Sequence, residues 1–201
     1  PIFQVGVQPL FLFANSATGI KTVKDLIEAH KAGKVATYGS PGSGSPMHVL
    51  GEMFNRATGT QMQQVPYRGT GPVVTDLVGG HVPSAISLLD GMLAQHRAGK
   101  IKLIGVFTKE RSPLMPDIPT FAEAGVEGMV ALNWWGVYLP SGTPQAIVDH
   151  YNATLAKAMV NADLKDRFNK LGVEPHASSP AEFRAFLANE KAKYSKLIAD
   201  N

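Results

Sequence analysis

Apolar residues along this chain come in short bursts separated by small and polar clusters, and the period of the bursts changes from one to the next. Residues 3–13, FQVGVQPLFLF, form a continuous apolar run with β-branched and aromatic members, which predicts one long buried strand or a pair of them. A turn follows at 15–19, NSATG. Thr22 then stands where an N-cap belongs, ahead of a helix over 23–32 with Val23, Leu26 and Ile27 on one face and Gly33 as its stop. A strand over 35–38 leads into the turn GSPGSGSP at 39–46. Beyond it Met47, Leu50, Phe54 and Ala57 recur at spacings of three and four, so a helix over 45–58 with one inward face is expected, ended by Gly59.

The same alternation continues. A strand over 63–66 meets a second polar turn, YRGTGP at 67–72, which opens a short helix through Leu77 and Val78 that Gly79 and Gly80 stop. Residues 82–88 read as a strand, 89–97 as a helix ended by Gly99, and 101–107 as a buried strand. Strands alternating with helices predict an α/β sheet with ligand sites at the strand carboxyl ends. Residues 108–130 are Pro-rich and irregular, with one helical turn around 121–124. The run NWWGVYL at 133–139 is strand-like, and helices follow over 145–160, 162–171 and 180–199, the last capped by Ser178 or Ser179. Residues 14–125 thus form one compact α/β unit, while 132–201 hold one strand and three helices. A lone strand leaves both its edges unpaired.

Composition narrows the function classes. With 44% hydrophobic and 17% charged residues over 201 positions, the chain is an ordinary folded protein of one domain or two small ones. Its net charge of +3 comes from scattered basic residues, so no nucleic-acid stripe is present and no nucleic-acid partner is expected. No apolar run approaches a membrane-spanning length. The absence of cysteine excludes disulfides, thiolate chemistry and Cys-ligated zinc. The six histidines are dispersed, there is no HExxH or Walker pattern, and the Gly-x-x-Gly-x-Gly at 39–44 lacks a dinucleotide fingerprint. No metal and no cofactor is expected. Gly42-Ser43-Gly44 and Gly44-Ser45-Pro46 lack the flanks of a nucleophile elbow, so no enzyme is expected; a small hydrolase using Ser45 and His48 is the enzymatic rival.

The chemistry that stands out lies at 39–46. Small residues, free hydroxyls and backbone N–H groups there sit at the mouth of a helix, where unpaired donors and a partial positive charge suit a carboxylate or phosphate. Small residues also cap and turn chains everywhere, which is the plainer reading.

Five segments in register, YGSPGSGSPMHVLGE at 38–52, VPYRGTGPVVTDLVGGHV at 65–82, AGKIKLIGVFTKERSPLMPDIPTFAEAG at 98–125, WWGVYLPSGTPQAIVDHYNATLAKAM at 134–159 and LGVEPHASSPAEFRAF at 171–186, resemble the tripartite tricarboxylate transporter receptor family, the Bug-type extracytoplasmic solute-binding proteins. The resemblance covers essentially the whole chain. It implies a periplasmic-binding-protein-like (type II) α/β fold of two lobes with a small organic acid held between them through its carboxylate. It also implies periplasmic location and delivery of the ligand to membrane transporter subunits. Family members carry a further N-terminal segment that builds most of the first lobe, so the resemblance implies a receptor truncated there. On that reading 1–13 is a lead-in from the first lobe, 14–125 the complete second lobe, 126–131 a crossover, and 132–201 the returning part of the first lobe. Uncovered apolar surface on 132–201 would then favour a homo-oligomer. A dimerising interaction or sensing module with little or no solute binding is the rival from outside transport.

The resemblance also assigns ligand-binding roles. Ser40, Ser45 and Met47 stand where ligand contact is common, with His48 either a contact or a structural hydrogen-bonding residue. Tyr67, Arg68, Gly69 and Thr70 form the second polar turn. A guanidinium at Arg68 matches a carboxylate bidentately, although a surface arginine pairing with Asp76 or with solvent is the plainer alternative. Gly69 serves backbone geometry. At Ile86-Ser87 many members have Phe-Asp, and at Val82-Pro83 many have Val-Asp. Ser87 therefore offers a neutral hydroxyl where a carboxylate would grip an amino group, and an amino-acid ligand is disfavoured. Trp134, Trp135 and Tyr138 are expected in the core, and Asp117 in the connecting arm.

Overall fold

The structure is a computed structural model that describes residues 1–199; the expected tail over 132–201 therefore extends at 200–201 outside the described residues. The chain divides into two compact units, Pro9–Asn133 and a second one made of Pro1–Gln8 together with the chain from Trp134 onward.

The larger unit is built on a five-stranded sheet. Its strands are β2 (Phe11–Asn15), β3 (Thr37–Ser40), β4 (Gln63–Pro66), β5 (Ser84–Ser87) and β6 (Ile101–Val106), in the order β4-β3-β5-β2-β6. β3 runs parallel to β4 and β5, with Ser40 opposite Pro66 and Gly39 opposite Ala85, whereas β2 is antiparallel to both its neighbours. Along β2 the side chains alternate between two cores, as the two-residue pleat requires. Leu12 and Ala14 join Leu50 and Phe54 on one face, while Phe11 and Phe13 join Val73, Leu77 and Met92 on the other.

Helix α1 (Val23–Lys31) starts where the sequence predicts. Thr22 accepts the Asp25 N–H while the Asp25 carboxylate accepts the Thr22 N–H, a reciprocal cap that satisfies two orphan donors. Helix α2 (Pro46–Thr58) is N-capped by Ser45 and stopped by Gly59 at φ 68°. Met47, Leu50 and Phe54 face inward as expected, but Ala57 is exposed, and Gly51 takes the inward position instead. α3 (Thr70–Gly79) follows β4, and α4 (Met92–Arg97) begins three residues later than the sequence pattern, after the left-handed Gly91. β3 is also displaced by two residues from the expected 35–38, so Ser40 ends a strand rather than opening a turn.

In the smaller unit, β7 (Leu132–Val137) is not alone. β1 (Phe3–Pro9) lies beside it, and the two-residue β8 (Glu174–Pro175) pairs antiparallel with β1, placing Gly6 opposite Pro175. The expectation of one strand with unpaired edges is corrected to a three-stranded sheet, β7-β1-β8. The long run at 3–13 is two strands in two different sheets. Helices α5 (Gln145–Met159), α6 (Ala162–Leu171) and α7 (Pro180–Ala199) complete the unit, with Ile2, Phe3 and Met159 buried among them. Ser179 caps α7 through the Glu182 N–H; buried Ser178 instead accepts the Gln4 N–H. Trp134 packs edge-on against Phe183 and Phe186. Trp135 and Tyr138, expected in the core, are 38% and 49% exposed: Trp135 falls on the opposite face of the pleat from Trp134, and Tyr138 lies beyond the strand's end.

Candidate functional site

Three parallel strand ends meet along one edge of the larger sheet. β3 ends at Ser40, β4 at Pro66 and β5 at Ser87, and the chain leaves each by a loop of small or polar residues. After β3 it turns into α2, which packs in the core containing Tyr38 and Leu12. After β4 it turns into α3, which packs on the opposite face with Phe11 and Phe13. Neighbouring strands whose following helices lie on opposite faces open a crevice outside their carboxyl ends, the usual ligand position in such sheets.

The first loop is held in one conformation from several sides. The Gly42 carbonyl accepts from the Ser45 hydroxyl at 2.7 Å, from the Gln64 amide at 3.1 Å and from the Ser40 hydroxyl at 3.4 Å. Gly42 and Gly44 sit at φ 134° and 74°, backbone that side-chain-bearing residues rarely adopt. Ser40, fully buried, also accepts from Gln64 at 2.7 Å. Ser45 accepts the His48 N–H, and Pro46 at the first helical position has no N–H to leave unpaired. The Met47 side chain is buried in the core, so only its backbone is at the helix mouth. The His48 ring accepts the Gly44 N–H at Nδ1, 3.1 Å away, and its Nε2 lies 3.8 Å from a Glu52 carboxylate oxygen.

The second loop lies against the first, since the Tyr67 N–H donates to the Ser40 carbonyl. The Tyr67 hydroxyl donates to Asp76 at 2.8 Å, pinning the loop to α3. Burial first, then that bond and the negative charge of Asp76, push the phenol up to about 12. With Asp76 so engaged, Arg68 is exposed and makes no ion pair among the described residues. Gly69, at φ 95°, offers α3 no side-chain cap, so the N–H groups of Thr70 and Gly71 open the helix beside a guanidinium. Ser87 is fully buried, and its hydroxyl has no hydrogen-bond partner. Such an orphan costs about 1–3 kcal/mol unless a water or ligand meets it.

The edge therefore gathers Ser40, Ser45, His48, Tyr67, Arg68, Gly69, Thr70 and Ser87 on the ends and loops of three adjacent strands. Neither loop carries an acidic residue between 41 and 45 or between 67 and 71. The sequence reading did not single out Gln64, Tyr38, Glu52 or Gly51. A glycine in mid-helix and a His/Glu pair four residues apart were the signals available for the last two.

The family model for the tripartite tricarboxylate transporter family receptor matches residues 1–201. The chain belongs to this family. It is 31% identical over 202 residues to Protein BugT of Bordetella pertussis, covering all of this chain and 62% of that protein, so it spans about three-fifths of that relative's length. Among solved structures, R. palustris Rpa4515 with adipate superposes with a TM-score of 0.90 at 30% identity, over 98% of this chain and 66% of the other. MatC of Rhodopseudomonas palustris with bound malate gives 0.88 at 26% identity, over 98% and 69%. The receptor family is one of solute-binding proteins, and the type II periplasmic-binding-protein-like fold expected from the sequence is the one found. The hydrolase pairing is not assembled: the Ser45 hydroxyl donates to the Gly42 carbonyl while the His48 Nδ1 is taken by Gly44.

Proposed function

We propose that this chain belongs to an extracytoplasmic receptor that takes a small organic carboxylate at the carboxyl edge of the five-stranded sheet and passes it to membrane transporter subunits. The observation that carries the reading is the pair of helix mouths at adjacent strand ends, without acidic residues and with Arg68 on the second. N–H groups at such mouths carry partial positive charge, and a guanidinium adds a planar fork matched to carboxylate oxygens. Solved relatives hold adipate and malate, both acids with two carboxylates. Ser87 meets the ligand or its bound water with a neutral hydroxyl, which gives an ammonium group no counter-charge. Residues 14–125 act as the second lobe of the receptor and 132–201 as the returning part of the first.

Calorimetric titration with adipate, malate and adipamide tests the reading. The two acids are expected to bind and the diamide not to; equal binding of acid and diamide would remove the anion-reading role. Arg68→Gln should weaken adipate by about 10- to 150-fold, the equivalent of a charge-assisted hydrogen bond of about 1.5–3 kcal/mol.

A second reading, self-association through 132–201, is favoured by one observation. Trp135, Tyr138, Ile147 and Tyr151, all in that stretch, are exposed by 38–49%.

A further inference from the structure

The hydrogen bonds behind the first loop form a chain that no ligand contact requires. Tyr38, on β3 and fully buried, donates to the Glu52 carboxylate at 3.0 Å and to the His48 carbonyl at 3.2 Å. Burial first, and the Glu52 charge after it, hold that phenol protonated far above the ordinary tyrosine range. The ring reaches this far only because α2 carries a glycine in its path. A Cβ at Gly51 would lie 2.1 Å from the Tyr38 ring and hydroxyl. A mid-helix glycine weakens a helix relative to alanine, and here it opens the slot through which β3 reaches Glu52. Glu52 then flanks His48 Nε2 at 3.8 Å, and His48 Nδ1 accepts the Gly44 N–H at 3.1 Å. Because Gly44 donates to Nδ1, the neutral ring carries its proton on Nε2, facing the carboxylate.

We propose that His48 is a positioning residue for the anion-reading loop: its neutral imidazole, backed by Glu52 and Tyr38, fixes the Gly44 backbone, and protonation of the ring releases it. This deepens the carboxylate-binding reading and rests on it. An imidazolium has no acceptor left for Gly44, so the N–H loses its partner and the loop regains freedom that binding must then remove. Among the described residues the ionisable group facing the ring is Glu52 from its own helix; Tyr38 from β3 reaches the Glu52 carboxylate and the His48 carbonyl, not the ring, and Ser43 and Gln64, beside the loop, are neutral. Glu52, 3.8 Å from Nε2, draws a charged ring toward itself and away from Gly44.

The test has two arms on the full 201-residue chain. In the first, adipate affinity is measured by calorimetry between pH 8 and pH 5 for the unaltered chain, His48→Leu and His48→Asn. Asparagine keeps an acceptor close to the Nδ1 position and does not titrate. His48→Leu should lose about fivefold at pH 8, the equivalent of one hydrogen bond, and His48→Asn should restore most of it. On acidification the unaltered chain should weaken relative to His48→Asn, a ratio that cancels titration of adipate itself. Relative strengthening in acid would mean that the imidazolium touches the ligand directly and would overturn the proposal. In the second arm, without ligand, the Gly44 amide resonance is followed by NMR through the titration of the His48 ring. Its movement with that titration is expected, and a Gly44 resonance that ignores His48 would overturn the proposal. If adipate does not bind at all, the carboxylate reading fails by itself and the Gly44 resonance decides the loop.

Discussion

Gly51 shows how much a single residue can settle. Its replacement by alanine improves helix propensity by about 1 kcal/mol, but the added methyl would meet the buried Tyr38 ring at 2.1 Å. Relief requires shifting a side chain fixed by two hydrogen bonds, and overpacking of this kind costs about 1–3 kcal/mol. Gly51→Ala should therefore lower the midpoint of urea unfolding, and an unchanged or higher midpoint would contradict the packing. Ser87 predicts the reverse. Ser87→Ala removes a buried hydroxyl without a partner, so the ligand-free chain should unfold no earlier and gain up to about 1 kcal/mol, while adipate affinity falls. At this scale the sequence was an incomplete guide. The small polar residues crowding one turn marked it only as a turn or an anion site, and the family resemblance drew attention to Ser40, Ser45, Met47 and His48; neither signal marked Tyr38 or Gln64. Their roles come from strands that pair only after folding.

The helices were legible because their signals are local. Thr22 with Asp25 and Ser179 with Glu182 lie three residues apart, and each pair forms its reciprocal cap. The Lys21 N–H, first among its donors, holds the Asp25 carboxyl below the ordinary aspartate range, and the Ser179 N–H does the same for Glu182. A carboxyl lowered in the folded state stabilises it above the ordinary range, and that contribution is lost as pH falls through the lower folded value. Circular dichroism on stepping from pH 6 to pH 3 should show an acid limb that Glu182→Gln flattens; an identical limb in the variant would remove the cap from the account. The strands were legible as apolar runs but not in their partners. β8 spans two residues, too short for any periodicity, and β3 slides two residues because its pairing with β4, not its own composition, fixes its ends. A comparable close approach marks β7, where a Cβ at Gly136 would meet the Phe183 ring at 2.0 Å.

For the whole molecule, the strand order β4-β3-β5-β2-β6 was not readable from residue spacing, and the family resemblance supplied the architecture instead. Self-association through 132–201 belongs at this scale. Sedimentation velocity over a hundredfold concentration range should show a concentration-dependent dimer that Trp135→Ser weakens, and a monomer throughout would end that reading. Another consequence lies in the pairing of Gly6 with Pro175 and Val7 with Glu174. Strands so distant in the chain close a very large loop, which slows their formation relative to nearby pairings. Within this chain β1 finds its sheet partners only in the distant β7 and β8, while Pro9–Asn133 holds every strand of its own sheet. Refolding from denaturant should accordingly show a fast phase for the five-stranded sheet and a slower one reported by Trp134 and Trp135 fluorescence. A chaperone that grips unfolded chains would find its target in β1, apolar and still unpaired during that slow phase.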